Sequence, residues 1–298
     1  MRAYVKLVLT ALLWAGAFFA AGRSLVSGPP ILVAFLRFSI AGAILVALVF
    51  ATGKSHELLA RENWLSYLIL GILGIFLYNM FFFTGLKITS AVSGSLIIGA
   101  NPGITALLGR TFRGERLGFK RWLGIFISFS GVLLVIVRGS LDVLLHLDFN
   151  RGDLLILCAA SSWAVYSFLG KDVMRRISPL AATAGPCVPG VILLAPFAFW
   201  QTNDLIWAHD PMLWVSILYM ALLASVVAYL WWYEGVNAIG SSRAAIFVNL
   251  VPVFVMTLSI FQGHWPNTAQ AAGALLVLAG VYLTSSRTVT PQEPVQAA

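Results

Sequence analysis

Charge is what this chain has least of. Charged residues are 10% of its 298 and hydrophobic residues 60%, where ordinary soluble domains carry about 25% and about 45–50%. The shortage excludes a soluble globular fold, because apolar runs this long and numerous exceed what one buried core absorbs. Cysteine is nearly missing too. Cys158 and Cys187 both fall inside apolar runs, which leaves neither a disulfide framework nor a metal spacing and reads as two buried thiols. His56, His146, His209 and His264 lie in or near connections and form no cluster. With no phosphate-cradling Gly-Lys-Ser and no paired carboxylates, nothing points to an enzyme, and no catalytic residue, metal or cofactor is expected. The net charge of +8 is spread over short connections without aromatic interleaving, so it predicts a membrane face and no nucleic-acid partner.

What the chain does have is a series of apolar runs. Crossing about 30 Å of hydrocarbon takes roughly 17–25 helical residues. Runs of that kind stand at about 4–22, 30–50, 64–86, 91–109, 119–137, 153–170, 179–199, 213–236, 241–262 and 269–285. The predicted fold class is an all-α integral membrane protein with ten transmembrane helices and the lipid bilayer as its solvent. Met1 to Lys6 and the following run to Gly22 have the form of a cleavable signal peptide, but that run has a twin later in the chain and is read as the first span.

The twin belongs to a repeat. At an offset of 149, Trp14 aligns with Trp163, Pro30 with Pro179, Gly114 with Gly263, Gly124 with Gly273 and Gly131 with Gly280; an offset of 150 adds Gly85 with Gly235 and Pro102 with Pro252. Such matches among rarer residues predict two five-helix repeats. They cover residues 1–138 and 152–285, with an external linker at 139–151 and a disordered cytoplasmic tail at 286–298. Lysines and arginines cluster in alternate connections. Arg2, Lys6, Lys54, Arg61, Arg110, Arg113, Arg116, Lys120, Arg121, Lys171, Arg175, Arg176, Arg243 and Arg287 fall on one side, and Arg23, Lys87, Arg138 and Arg151 on the other. The rule that positive charge stays inside then puts both termini in the cytoplasm. An odd number of spans per repeat makes the halves an inverted pair, able to open to opposite sides.

Two spans carry helix breakers. Asn101, Pro102 and Gly103 interrupt the fourth, and Pro252 stands in the apolar run around Asn249 in the ninth. A proline inside a helix frees the carbonyl four residues earlier, here Ile98 and Val248, which a bilayer tolerates only against protein or a wet cavity. Matched interruptions predict a paired internal site with Pro102, Gly103 and Pro252 as break or gating positions.

At about 1.5 Å per residue, Trp14, Asn101, Trp163 and Pro252 all lie near the membrane midplane. Tryptophan favours the interface, so a mid-depth pair needs a wet cavity, or else packs between helices with each N–H on a freed carbonyl. Trp14, Tyr78, Asn79, Asn101, Trp163, Tyr166 and Asn249 are the candidate substrate-binding residues, each with helix-to-helix hydrogen bonding as the alternative role. Arg37, the arginine set deep in a span, either binds a substrate carboxylate or snorkels to the outer surface. Glu234 is a candidate for proton coupling, or a gate or partner for a basic residue.

The chain resembles the ten-span EamA-type group of the drug/metabolite transporter superfamily, and within it the bacterial aromatic amino-acid exporters. The resemblance rests on Trp14, Leu36-Arg37-Phe38, Ala100-Asn101-Pro102-Gly103, Gly114-Glu115-Arg116-Leu117, the Gly124 and Gly131 pair, and a second copy opening at Gly152-Asp153-Leu154-Leu155 with Trp163. The second copy departs from the pattern, with Gly263-His264 in place of Gly-Glu and Pro186 opposite Arg37. The resemblance implies a transporter of the bacterial inner membrane that exports small metabolites from a cavity between the repeats. A cavity level rich in Trp, Tyr and Asn and poor in fixed charge suits neutral or aromatic amino acids. Efflux of drugs or other metabolites is the alternative, with a non-transporting membrane scaffold further off. A monomer is the expected assembly, a dimer the alternative, and facilitated export the expected mode.

Overall fold

A computed structural model describes residues 2–99, 101–114, 118–146, 149–202, 208–239, 244 and 247–285, and among them every regular element is helical. In the first half these are α1 (Arg2–Ser24), α2 (Pro30–Ala51), the short α3 (Ser55–Leu59), α4 (Arg61–Leu70), α5 (Tyr78–Leu86), α6 (Ala91–Gly99), α7 (Asn101–Arg113) and α8 (Phe119–Ile136). After the short α9 (Leu141–Leu145) come α10 (Arg151–Val173), α11 (Pro179–Trp200), α12 (Pro211–Leu218), α13 (Ala228–Ile239), α14 (Leu250–Phe261) and α15 (Thr268–Ser285). Among the described residues eight helical stretches are long and apolar enough to cross a membrane, and the shorter apolar Leu250–Phe261 and Thr268–Leu283 stand in the ninth and tenth expected positions. Most of 240–246, Glu115 and the tail 286–298 lie outside the described residues.

Two spans are wound differently from the expectation of plain α-helix. α4 runs into α5 through a π-helical stretch, Gly71–Leu77, and α12 into α13 through another, Tyr219–Val227. The wider turn pairs Tyr78 N–H with the Leu73 carbonyl and Ala228 N–H with Leu223, five residues back. Carbonyls in such turns are offered sideways to neighbouring side chains.

The helices pack in pairs that cross between the halves. α1 lies along the α12–α13 span and α10 along the α4–α5 span; α2 pairs with α11, α6 with α14, and α8 with α15. Lipid tails are as apolar as leucine, so close backbone approach and hydrogen bonds hold such pairs rather than water exclusion. At α5–α10, a Cβ on Gly85 would sit 2.8 Å from the Gly152 carbonyl oxygen, and one on Gly152 would sit 2.7 Å from that of Gly85. Large apolar side chains also face outward, among them Phe126, Phe199, Leu275 and Tyr282, as a bilayer requires and water forbids.

Pro252 departs from the expected mid-span kink. It is the third residue of α14, a position where the missing N–H is one the helix leaves unpaired in any case, while Pro102 stands just after Ala100, which lies outside the described residues, in the apolar stretch Ala91–Phe112. The two stretches meet: a Cβ on Gly99, the last residue of α6, would stand 3.0 Å from Pro252 Cγ. Gly103 is not crowded, since its Cβ would meet Phe129 at an ordinary 3.6 Å.

Candidate functional site

Six aromatic rings from four spans converge at mid-depth. Trp163 lies 5.1 Å from Tyr166, 5.2 Å from Tyr78, 5.6 Å from Tyr229 and 6.3 Å from Trp14, measured between ring centroids. Trp14 in turn meets Tyr229 at 5.9 Å and Trp232 at 5.5 Å. Most of these pairs are tilted or edge-on, the geometry that ring quadrupoles favour. Trp14, Tyr78, Trp163 and Trp232 keep part of their surface open, although each is placed among other helices, whereas Tyr166 and Tyr229 are buried. The cluster is thus part-buried at its tryptophans and Tyr78 and closed at Tyr166 and Tyr229.

Helix pairing puts the rings there. Trp14 and Trp163 sit on α1 and α10, the helices that each lie along the π-wound span of the other half. Trp14 Nε1 donates to the Ala224 carbonyl at 3.1 Å, inside the π-helical Tyr219–Val227. Tyr219 Oη returns a bond to the Leu13 carbonyl at 3.0 Å. Across the pseudo-equivalent pair, Ser162 Oγ donates to the Leu73 carbonyl at 2.7 Å, inside Gly71–Leu77. The alternative of an indole held on a helix carbonyl therefore holds for Trp14. Trp163 makes no hydrogen bond to a described residue.

Arg37 enters this cluster from α2. Its side chain is 5% exposed, so it does not snorkel. Nε donates to Ser225 Oγ at 2.9 Å, Cζ lies 4.9 Å from the Phe38 ring centroid, and Tyr78, Tyr229 and Cys187 are its electrostatic neighbours. Among the described residues it has no carboxylate partner. A guanidinium desolvated this far carries unused donors and a charge with a strong demand for an anion.

The amides are placed otherwise. Asn101 Nδ2 donates to the Ala160 carbonyl at 2.8 Å, tying α7 to α10 one turn before Trp163, and its Oδ1 accepts from Thr105 Oγ1 at 3.3 Å. Asn79 donates to the Ile75 carbonyl of its own span at 2.7 Å. Asn249, just before α14, is buried with Oδ1 unpartnered. Helix-to-helix or local bonding thus occupies the Asn101 and Asn79 amide N–H groups. Glu234, in the middle of α13, forms an ion pair with Lys6 near the start of α1, both side chains part-exposed.

Sequence reasoning left four members out of the candidate set: Tyr229, Trp232, Tyr233 and Ser225. Tyr233 Oη and Tyr166 Oη share a hydrogen bond of 2.9 Å, both buried. The signal was present in Tyr229-Leu230-Trp231-Trp232-Tyr233, an aromatic run deep in a span. A separate pocket of about 300 Å³ lies between Phe19, Ser90, Ser259, Trp265 and Gln270. It opens at one end of the bundle and shares no lining residue with the ring cluster.

Comparison with known proteins agrees with this architecture. Residues 1–137 and 150–286 each match the model of the EamA-like transporter family. The uncharacterized transporter YyaM of Bacillus subtilis (strain 168) is 40% identical over 252 residues, which is 84% of this chain and 82% of that one. A probable terminal-alkyne amino-acid exporter of Streptantibioticus cattleyicolor is 27% identical over 299 residues, 97% of this chain and 95% of its own. A solved crystal structure at 24% identity has the same fold, with a TM-score of 0.70 across 95% of this chain and 96% of that one. The chain is a multi-pass membrane transporter, not an enzyme, and belongs to the EamA-like family.

Proposed function

We propose that this transporter exports neutral or aromatic amino acids, or close amphipathic relatives, across a bacterial inner membrane by opening the ring cluster alternately to each side. The observation that carries the reading is Arg37: a buried guanidinium beside Tyr78 and Tyr229, with no carboxylate partner among the described residues. A carboxylate supplied by the solute would satisfy it with charge-assisted hydrogen bonds, while Trp14, Trp163 and Trp232 take the side chain. That pairing of one cation with aromatic walls favours a zwitterion over an uncharged drug. A relative named as an amino-acid exporter supports the same solute class.

The crossed pairing of helices, with α1 on the α12–α13 span and α10 on the α4–α5 span, is what two inverted repeats about an axis in the membrane plane produce. With both termini cytoplasmic, the bond between Tyr166 and Tyr233 lies on the cytoplasmic side of Trp163 and Tyr229 and closes that side of the cluster. Export runs down the solute gradient, since Glu234 is engaged by Lys6. Proteoliposomes loaded with radiolabelled L-phenylalanine, L-leucine or an uncharged analogue test the proposal. Protein-dependent efflux of the amino acids is expected; efflux no faster than from empty liposomes for every amino acid overturns it.

A further inference from the structure

Adjacent residues of the π-helical stretch Tyr219–Val227 hold two members of the site. Trp14 Nε1 donates to the Ala224 carbonyl at 3.1 Å, and Arg37 Nε donates to Ser225 Oγ at 2.9 Å. Tyr229, one turn further on, meets the rings of Trp14 and Trp163 and is an electrostatic neighbour of Arg37. The other half builds the corresponding contact differently. Through the π-wound spans the repeats align at an offset of 150, which sets Leu223 on Leu73, the carbonyls that close the two wide turns, and Ser225 on Ile75. α11 lies along Gly71–Leu77 as α2 lies along Tyr219–Val227, with Pro186 opposite Arg37. There Ile75 seats on backbone, since a Cβ on Gly190 would stand 2.4 Å from Ile75 Cβ. The half that lacks the arginine lacks the hydroxyl as well, and an apolar contact joins the same two elements.

We propose that Ser225 is a positioning residue, which holds Arg37 Nε so that the two terminal Nη groups meet the solute carboxylate end-on. This rests on the reading of Arg37 as the carboxylate site and adds what aims it. A planar fork on a long side chain grips a carboxylate at two points only when its orientation is fixed beforehand. Two contacts fix it here. Ser225, itself 2% exposed, takes the Nε edge, and Cζ stands 4.9 Å from the Phe38 ring centroid. Nη1 and Nη2 make no hydrogen bond to a described residue, so the end of the fork is the edge left for a bidentate partner. A serine hydroxyl is neutral and orients the cation without cancelling its charge, which a carboxylate in its place would do. The solute class that follows is a carboxylate, preferred over the carboxamide of the same shape, because an amide brings one acceptor oxygen and no charge.

The test compares an acid with its amide. Binding of L-phenylalanine, 3-phenylpropanoate and 3-phenylpropanamide to the full-length protein in lipid nanodiscs is measured by calorimetry for the wild type, Ser225→Ala and Ser225→Thr. Ser225→Ala is expected to raise the Kd for 3-phenylpropanoate about tenfold, the scale of one hydrogen bond to a charged group, and to change that for the amide less than about twofold. Ser225→Thr keeps the hydroxyl and is expected within about twofold of the wild type on the same scale. Full-length protein labelled with 15N-arginine gives a second readout without solute. Its Arg37 Nε–H signal, assigned by Arg37→Gln, is expected to exchange at least about tenfold faster in Ser225→Ala than in the wild type. Wild-type affinity for 3-phenylpropanoate in Ser225→Ala, or equal losses for the acid and the amide, overturns the positioning role. Unchanged exchange in Ser225→Ala, or a Ser225→Thr as weak as Ser225→Ala, overturns it too. Failure of the functional reading has a different signature: the wild-type protein then binds neither L-phenylalanine nor 3-phenylpropanoate, and the role of Ser225 toward a carboxylate falls with it.

Discussion

Gly280 lies against the backbone of Ser128, so closely that a Cβ on the glycine would stand 2.4 Å from the Ser128 amide nitrogen and 2.5 Å from the Gly124 carbonyl oxygen. The contact repeats two helical turns away, where a Cβ on Gly273 would lie 2.5 Å from Val135 Cγ2 and one on Gly131 would lie 2.8 Å from the Gly273 carbonyl oxygen. Backbone cannot rotate aside as a side chain does, so Gly280→Ala forces α8 and α15 apart. Overpacking of this kind costs about 1–3 kcal/mol. The variant is expected to melt several degrees lower in detergent, and Gly22→Ala, with open space around its Cβ, serves as control. Equal melting temperatures in the wild type and Gly280→Ala would show that the helix pair is not close-packed.

Arg37→Gln removes the one cation assigned to the solute carboxylate and keeps the length and some hydrogen bonding. Hydrogen bonds to charged groups are worth about 1.5–3 kcal/mol, so affinity for L-phenylalanine is expected to fall roughly ten- to a hundredfold. Arg37→Lys rescues only part of this, because an ammonium cannot both hold Ser225 and grip a carboxylate with a planar fork. Transport of an uncharged aromatic analogue is spared. Equal losses for charged and uncharged solutes would assign Arg37 to packing alone.

Glu234 and Lys6 form an ion pair with side chains 54% and 36% exposed. Solvated pairs contribute about 0–1 kcal/mol, so Glu234→Gln is expected to change efflux less than about twofold by the same free-energy scale. The pH profile of transport stays unchanged. Proton movement coupled to solute flux and abolished in Glu234→Gln would show the opposite, a carboxylate in the transport cycle.

Glu57 staples the short α3 to the start of α11. Its carboxylate accepts the Ser178 N–H at 2.6 Å, while its carbonyl accepts from Asn63 Nδ2 and Tyr67 Oη, both at 2.9 Å. Burial pushes its pKa up, but the Ser178 hydrogen bonds, with Lys54 and His56 nearby, outweigh burial and hold the carboxyl below its ordinary value. A depressed folded pKa means that the stabilisation is complete above the unfolded value, about 4.3, and is lost as pH falls through the lower folded value. The melting-temperature gap between wild type and Glu57→Gln is therefore expected to be constant from about pH 8 to 5 and to shrink below about pH 4. A gap that widens in acid would contradict the sign.

Much of the site was legible as depth. Counting residues along each span placed Trp14 and Trp163 at one level, and in the structure their rings lie 6.3 Å apart. The glycines that matched between the repeats, Gly124, Gly131, Gly273 and Gly280, meet in a single helix pair, a packing role that the repeat alone did not state. Rotation was not legible in the same way. Asn101 looked like a cavity amide by level alone, yet it faces Ala160; Pro252 looked like a kink in mid-span, yet it stands in the first turn of α14.

What the sequence by itself determined is an all-helical membrane transporter whose aromatic residues gather at mid-depth, because apolar length and the rise per residue are properties of the chain alone. The tertiary structure decided which carbonyl each polar group reaches. Two π-helical stretches, Gly71–Leu77 and Tyr219–Val227, hold carbonyls that accept from neighbouring helices, and the packing of α1 and α10 against those stretches settles whether an indole or a hydroxyl takes them. Trp14 and Trp163 are equivalent in the repeat pattern. They are not equivalent in hydrogen bonding, because Trp14 Nε1 donates to the Ala224 carbonyl while Trp163 makes no hydrogen bond to a described residue, and that difference exists only once the helices are in contact.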